Sequence, residues 1–201
     1  MKRVIVASCL LACICPAMAG PDSFDRVKTD LSDAACIQLV FLSIVESELF
    51  SSVDTTAGSA CLARDGRYSV EMGADTYLFD LHHLYSYSAE NNQVVIEKVA
   101  PGQIGSYEVS YLGHLDELYH TKTIVPDKRF HLTRRKDVTG DIPDSIDVTI
   151  GEEPARLLSM EYFDINEELN RIVILKQNLD SLCTEEMLIP QFPDSVERIK
   201  L

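Results

Sequence analysis

Positive charge is what this 201-residue chain has least of: 18 Lys and Arg stand against 32 Asp and Glu, a formal charge of −14. Nucleic acid, whose phosphates demand a basic footprint, is excluded as a partner. A surface drawn to anionic lipid headgroups is excluded for the same reason. Catalytic signatures are missing too. There is no G-x-S-x-G elbow, and no serine has His and Asp partners at motif spacing. No CxxC or Cys/His cluster points to metal, and His82-His83, adjacent on a strand, would face opposite ways. Asp164-Ile-Asn166 opens like a calcium loop, but Leu169 and Leu175 stand where the glycine and the closing glutamate belong. The other paired carboxylates fall in turns and on helix faces, where charge is simply solvated. The expectation is a non-enzyme that needs no cofactor and no metal.

Long apolar runs are also absent after the first twenty residues. There, Lys2 and Arg3 precede an apolar stretch from Val4 to Cys15 and the small-residue signature Ala17-Met-Ala19. That pattern reads as a signal peptide over residues 1–19, too short to span a bilayer comfortably. A lipoprotein-type signal around Leu10-Leu-Ala-Cys13 fits less well, because Leu11 is large and the apolar region would be cut short. Cleavage would remove two basic residues and no acidic ones, taking the charge from −14 to about −16. The expected location is a bacterial periplasm. Of six cysteines, Cys36, Cys61 and Cys183 would remain, with three possible pairings.

What is present is a succession of short strands without repeats, low-complexity segments or a linker. Phe24, Val27, Leu31 and Ala34 recur at helical spacing over residues 22–34. Cys36 to Phe50 is apolar and rich in β-branched residues; a strand is preferred over a helix, with a turn expected at Asp54-Thr-Thr-Ala-Gly58. From Gly58 to Val99 runs a meander. Tyr68, Val70 and Met72 alternate with polar residues, and Asp65-Gly66, Gly73-Ala-Asp75 and Glu90-Asn-Asn92 supply turns. Pro101-Gly-Gln-Ile-Gly105 marks a break before a short helix over residues 106–119. Strands follow at 122–125, 129–133, 145–150, 156–163, 170–178 and 195–199.

The fold class is therefore α+β, mainly β: a single domain of about eleven short antiparallel strands in a highly curved sheet or a barrel, with two short helical segments. Two short helical segments are little cover for so much apolar sheet. An apolar hollow, suited to apolar ligands, is the consequence.

The meander also carries a family pattern. Gly58-x-Ala-x-Leu-Ala-Arg64, then Arg67-Tyr68-x-Val70, a turn at Asp80, Leu84-Tyr85-x-Tyr87 and Gln93-Val-Val resembles the LolA family of periplasmic outer-membrane lipoprotein carriers. Ile189-Pro-Gln-Phe-Pro-Asp-Ser-Val196 loosely resembles that family's closing segment. Asp65 replaces the family proline, Leu81 the turn glycine and Tyr85 a tryptophan; the chain has no tryptophan at all. The resemblance implies a single-domain, unclosed antiparallel β-barrel with short helices as a lid over the concave face, its hollow accepting acyl chains of a lipoprotein or other lipid. It implies Arg64 as the lid latch and a ligand-binding cavity lined by Tyr68, Val70, Met72, Tyr85 and Tyr87. An inner-membrane releasing complex and an outer-membrane acceptor would be its partners, with the carrier itself a monomer. The alternative is a LolA-like sensor or interaction domain that binds another lipid or a partner protein segment.

Overall fold

A computed structural model describes residues 23–100, 109–138, 142–152, 154–179 and 181–201. The expected signal peptide lies outside them, as do the break at 101–105 and the first residues of the helix expected after it. One sheet of twelve strands dominates. In chain order they are β1 (Cys36–Ser47), β2 (Ser52–Ala63), β3 (Tyr68–Met72), β4 (Asp75–Phe79), β5 (His83–Ser88) and β6 (Gln93–Lys98). Later in the chain come β7 (Tyr119–Val125), β8 (Arg129–Arg134), β9 (Ser145–Glu152), β10 (Ala155–Phe163), β11 (Leu169–Asn178) and β12 (Glu197–Lys200). Helix α1 (Ser23–Asp33) precedes the sheet; a 3-10 turn (Leu112–His114) and the single-turn helix α2 (Leu115–Leu118) interrupt it.

Spatially the order is β12-β6-β5-β4-β3-β2-β1-β11-β10-β9-β8-β7. Neighbours pair antiparallel, except β12, which lies parallel to β6. The outermost strands β7 and β12 do not meet, so the sheet is unclosed. The expected fold class holds, with twelve strands instead of about eleven.

Turn chemistry explains most of the strand ends. Gly66 and Gly73 take positive φ, and so do Asn92 and Asp127 at the tips of β5–β6 and β7–β8. One expected turn is corrected. Residues 54–58 lie within β2, and the chain reverses instead at 48–51, where Ser51 has φ 51° and donates its N–H to the Glu48 carbonyl. Val53, Thr55 and Thr56 are β-branched and suit an extended chain better than a turn. Gly58 is there for space, not for bending: a Cβ on it would lie 2.5 Å from the buried Phe41 ring and 2.8 Å from Met72 Sδ. The helix expected over 106–119 is also shorter in the described part, a 3-10 turn plus α2.

Pairing register divides the sheet into two faces. On the inner face lie Ile37, Leu39 and Phe41, paired across the strands with Leu62, Ala60 and Gly58, and these in turn with Tyr68, Val70 and Met72. Phe130, Val148 and Met160 continue this face on β8–β10. Helix α1 buries Phe24, Val27 and Leu31 against it, as the helical spacing predicts.

The outer face is not uniformly wet. Residues 181–196 form a strap across it. Cys183 is disulfide-bonded to Cys36 on β1, and Leu188 packs on Cys36 and Cys61. Glu185 accepts two hydrogen bonds from Arg67 at 2.7 and 3.0 Å. Phe192 then lies against Tyr85 and Tyr87, and Asn92 donates to the Ser195 carbonyl before the chain enters β12. Leu78 and Val94 are buried on this side. The meander therefore has two apolar sides, each covered by a different part of the chain.

Candidate functional site

The concave face and its helical cover form the candidate site. Its wall is apolar on β1 to β3 and β8 to β10, where alternate side chains point inward, with the polar Ser43 buried among them. Tyr68 and Val70 are buried on this wall, and Met72 is half-buried beside them. Burial pushes the Tyr68 hydroxyl well up from its usual value, with the Ser110 side chain working the other way.

Tyr85 and Tyr87 are elsewhere. Tyr85 pairs with Leu78 and Tyr87 with Thr76, residues of the opposite parity from Phe79 and Tyr77. Both rings face the strap, 6.1 and 5.4 Å from the Phe192 ring centroid. The expectation that they line the same cavity as Tyr68 is corrected. Leu84 takes the inward position instead, packed against the core. The physical cause is the Asp80–His83 corner. Asp80 accepts the N–H groups of His82 and His83 and the Tyr85 hydroxyl, and Leu81 turns through φ 78°. Burial opposes charge on Asp80, but these donors outweigh it and hold its carboxyl below the ordinary value. Burial, helped by the contact with Asp80, pushes the Tyr85 hydroxyl up to about 12.

The cover is held by packing and a few polar ties. Phe24 stacks on Phe130 with ring centroids 4.6 Å apart. Lys28, 8% exposed, reaches Asp116 on α2 and Asp25 on α1, with its ammonium 5.4 Å from the Phe24 ring centroid. Burial works against this charge, yet the two carboxylates more than compensate and raise its pKa. Lys28 thus joins α1 to α2, a role no motif marks. Its one sequence signal is its place four residues after Phe24, on the apolar stripe.

Arg64 sits where the resemblance places a latch, beside the end of α1. Its N–H donates to the Ala35 carbonyl at 3.2 Å, and its guanidinium is 3.9 Å from the Asp33 carboxylate, both side chains exposed. An exposed pair of this length contributes little energy. Among the described residues, no backbone-to-backbone hydrogen bond joins α1 to the sheet; the Ser23 N–H donates instead to the Asp127 carboxylate at 3.4 Å. Between α1, the ends of β1 and β2 and the 3-10 turn there is a gap of about 40 Å³, space for waters but not for an acyl chain. Among the described residues, α1, the 3-10 turn and α2 cover the wall.

A second hollow lies on the outer face. It is a groove of about 440 Å³, bordered by Gln38, Val40, Ser59, Glu71, Lys176 and Met187. Close to it, Cys61 stays unbonded, its sulfur 3.7 Å from that of Cys36. Burial pushes its thiol up to about 11. Of the three pairings open to the sequence, Cys36–Cys183 is the one formed, so those two sulfurs are not free thiolates.

The wall and cover define a class: an open antiparallel half-barrel closed by a short helical lid. Among solved structures, an uncharacterized conserved protein from Thermus thermophilus matches over 89% of this chain and 97% of its own, at 14% identity and a TM-score of 0.54. A LolA superfamily protein from Nitrosomonas europaea matches over 85% and 99%, at 9% identity and a TM-score of 0.46. A putative outer membrane lipoprotein-sorting protein domain from Vibrio parahaemolyticus matches over 82% and 94%, at 7% identity and 0.44. No protein-family model and no curated protein matches the sequence. The likeness to the Thermus protein concerns the fold alone. No helix among the described residues is long and apolar enough to cross a membrane.

Proposed function

We propose that this protein is a periplasmic, non-catalytic carrier that shelters acyl chains of a lipoprotein against its concave face and delivers them to the outer membrane. One observation carries the reading. The apolar wall is covered by an element, α1, that is attached through side chains and not through the sheet's hydrogen-bond ladder. Lifting it breaks no strand pairing. An acyl chain entering in its place buries CH₂ groups worth about 0.8 kcal/mol each, against the loss of Phe24, Val27 and Leu31 from the same wall. Near-balance between the two occupants makes loading and unloading both possible, as carriage requires. Lys28–Asp116 is the polar tie of the clasp.

A palmitoyl lipopeptide, mixed with the purified protein in dilute detergent, is expected to remain bound one-to-one in native mass spectrometry. Val148→Glu, which puts a carboxylate on the buried wall, is expected to abolish that complex. Because this variant also strains the fold, Val40→Glu on the outer groove serves as its partner and is expected to bind like the parent. Loss of binding in Val40→Glu and not in a folded Val148→Glu would move the site to the outer face.

A further inference from the structure

At one end of the sheet two hairpin tips, 48–51 between β1 and β2 and 164–168 between β10 and β11, present apolar side chains to solvent. Leu49, Phe50, Val53, Phe163 and Ile165 are between 65% and 97% exposed. Register puts them at one end of the sheet. Val53 pairs with Glu46, Glu46 with Leu169, and Leu169 with Phe163, so all four share the outer face in one row. At about 4.8 Å per strand the row is roughly 14 Å long, with Leu49, Phe50 and Ile165 projecting past its end.

Turns are normally built from small polar residues, and neither tip needs these large side chains to bend. The second tip is moreover rigid. Asp164 accepts the N–H groups of Asn166 and Glu168 at 2.8 and 3.0 Å, and Glu167 takes φ 62°, so Ile165 is held out on a fixed turn. A preorganised apolar projection with nothing packed on it is the form of an interface anchor.

The surrounding charge selects the occupant. Glu48, Asp54 and Glu167 are exposed on the same tips. Arg171, the base beside the row, is held by Glu46 at 3.4 Å and Glu161 at 2.8 Å. An acidic rim is repelled by an anionic bilayer and attracted to Lys and Arg on a protein. We propose that these two tips dock on a basic protein surface, Phe50 and Ile165 entering an apolar socket while the acidic rim meets its positive charges. The site lies apart from the concave face and does not rest on the carrier reading.

The test is a photo-crosslinking residue placed at position 50 or 165 of the full chain in cells. The crosslinked protein is identified, purified, and its binding to the uncrosslinked chain is measured. The expected result is one protein partner with a basic contact face, bound less tightly as salt rises. Phe50→Ser with Ile165→Ser, both fully surface positions, is expected to keep the parent melting temperature and weaken binding at least about tenfold, the loss of a pair of interface anchors. Adducts with lipid would assign the tips to a membrane, and adducts with a second copy of the chain would assign them to self-association; either overturns the proposal. So does a partner whose affinity ignores salt and both substitutions, or the absence of any adduct at both positions.

Discussion

Phe24→Ala is expected to bind a palmitoyl lipopeptide more tightly than the parent protein. The buried Phe24 ring stacks on Phe130 and is the largest side chain that α1 lays on the wall. Truncating a buried phenylalanine costs about 3–5 kcal/mol. Most of that loss falls on the closed arrangement, because the contact exists only while the cover is down. If cover and acyl chain compete for one wall, apparent affinity scales with the fraction of molecules that are open. About 3 kcal/mol taken from the closed state then tightens apparent binding by as much as about a hundredfold. Titration of a fluorescent palmitoyl lipopeptide, with circular dichroism to verify folding, measures the change. A folded variant that binds equally or more weakly would mean that cover and ligand do not share the wall.

Cys183→Ser is expected to cost stability on a similar scale by a different route. The Cys36–Cys183 bond joins residues 147 apart and pins the strap onto the outer face. Loop-closure entropy for such a separation is about 5 kcal/mol, an upper figure because Arg67–Glu185 and β12 still guide the strap in its absence. A loss of roughly 3–5 kcal/mol corresponds to a fall in Tm of about 10–15 °C for a domain of this size. Cys61, with its sulfur 3.7 Å from Cys36, is able to stand in as partner. The comparison is therefore between Cys61→Ala alone and Cys61→Ala with Cys183→Ser. A difference of a degree or two between these melting curves would show that the strap is held by its other contacts.

Local signals in the sequence account for the architecture. Alternation at Tyr68–Met72 and Ser145–Ile150, the positive-φ residues of the turns, and the Phe24–Val27–Leu31 stripe are short-range, and each reports on a few residues at a time. They were enough for a highly curved antiparallel sheet or barrel with two short helices; the open edge and the lid came from the resemblance. Face assignment was legible only as far as alternation ran unbroken. The resemblance, not alternation, places Tyr85 and Tyr87 on the wall; the inward parity passes from Tyr68 to Phe79 at the 73–74 turn and from Phe79 to Leu84 at the Asp80–His83 corner, which turns both rings outward. The strap was illegible for a related reason. Leu188, Phe192 and Val196 are too widely spaced to show a period, and their partners on β1 to β6 are about a hundred residues or more away in sequence. Cys183 likewise gives no local hint of Cys36. The filling of the hollow by α1 was hidden as well, because a helical stripe records that one face is buried but not what it displaces.

The central claim is that acyl chains take the concave wall from α1. Nuclear Overhauser contacts between a palmitoyl lipopeptide and assigned methyl groups test it most directly. Contacts from the acyl chain to Val70, Ile146 and Val148, with loss of the contacts that Val27 and Leu31 make to the wall, are the predicted result. Contacts confined to Val40 and Met187 in the outer groove, with α1 undisturbed, would contradict it.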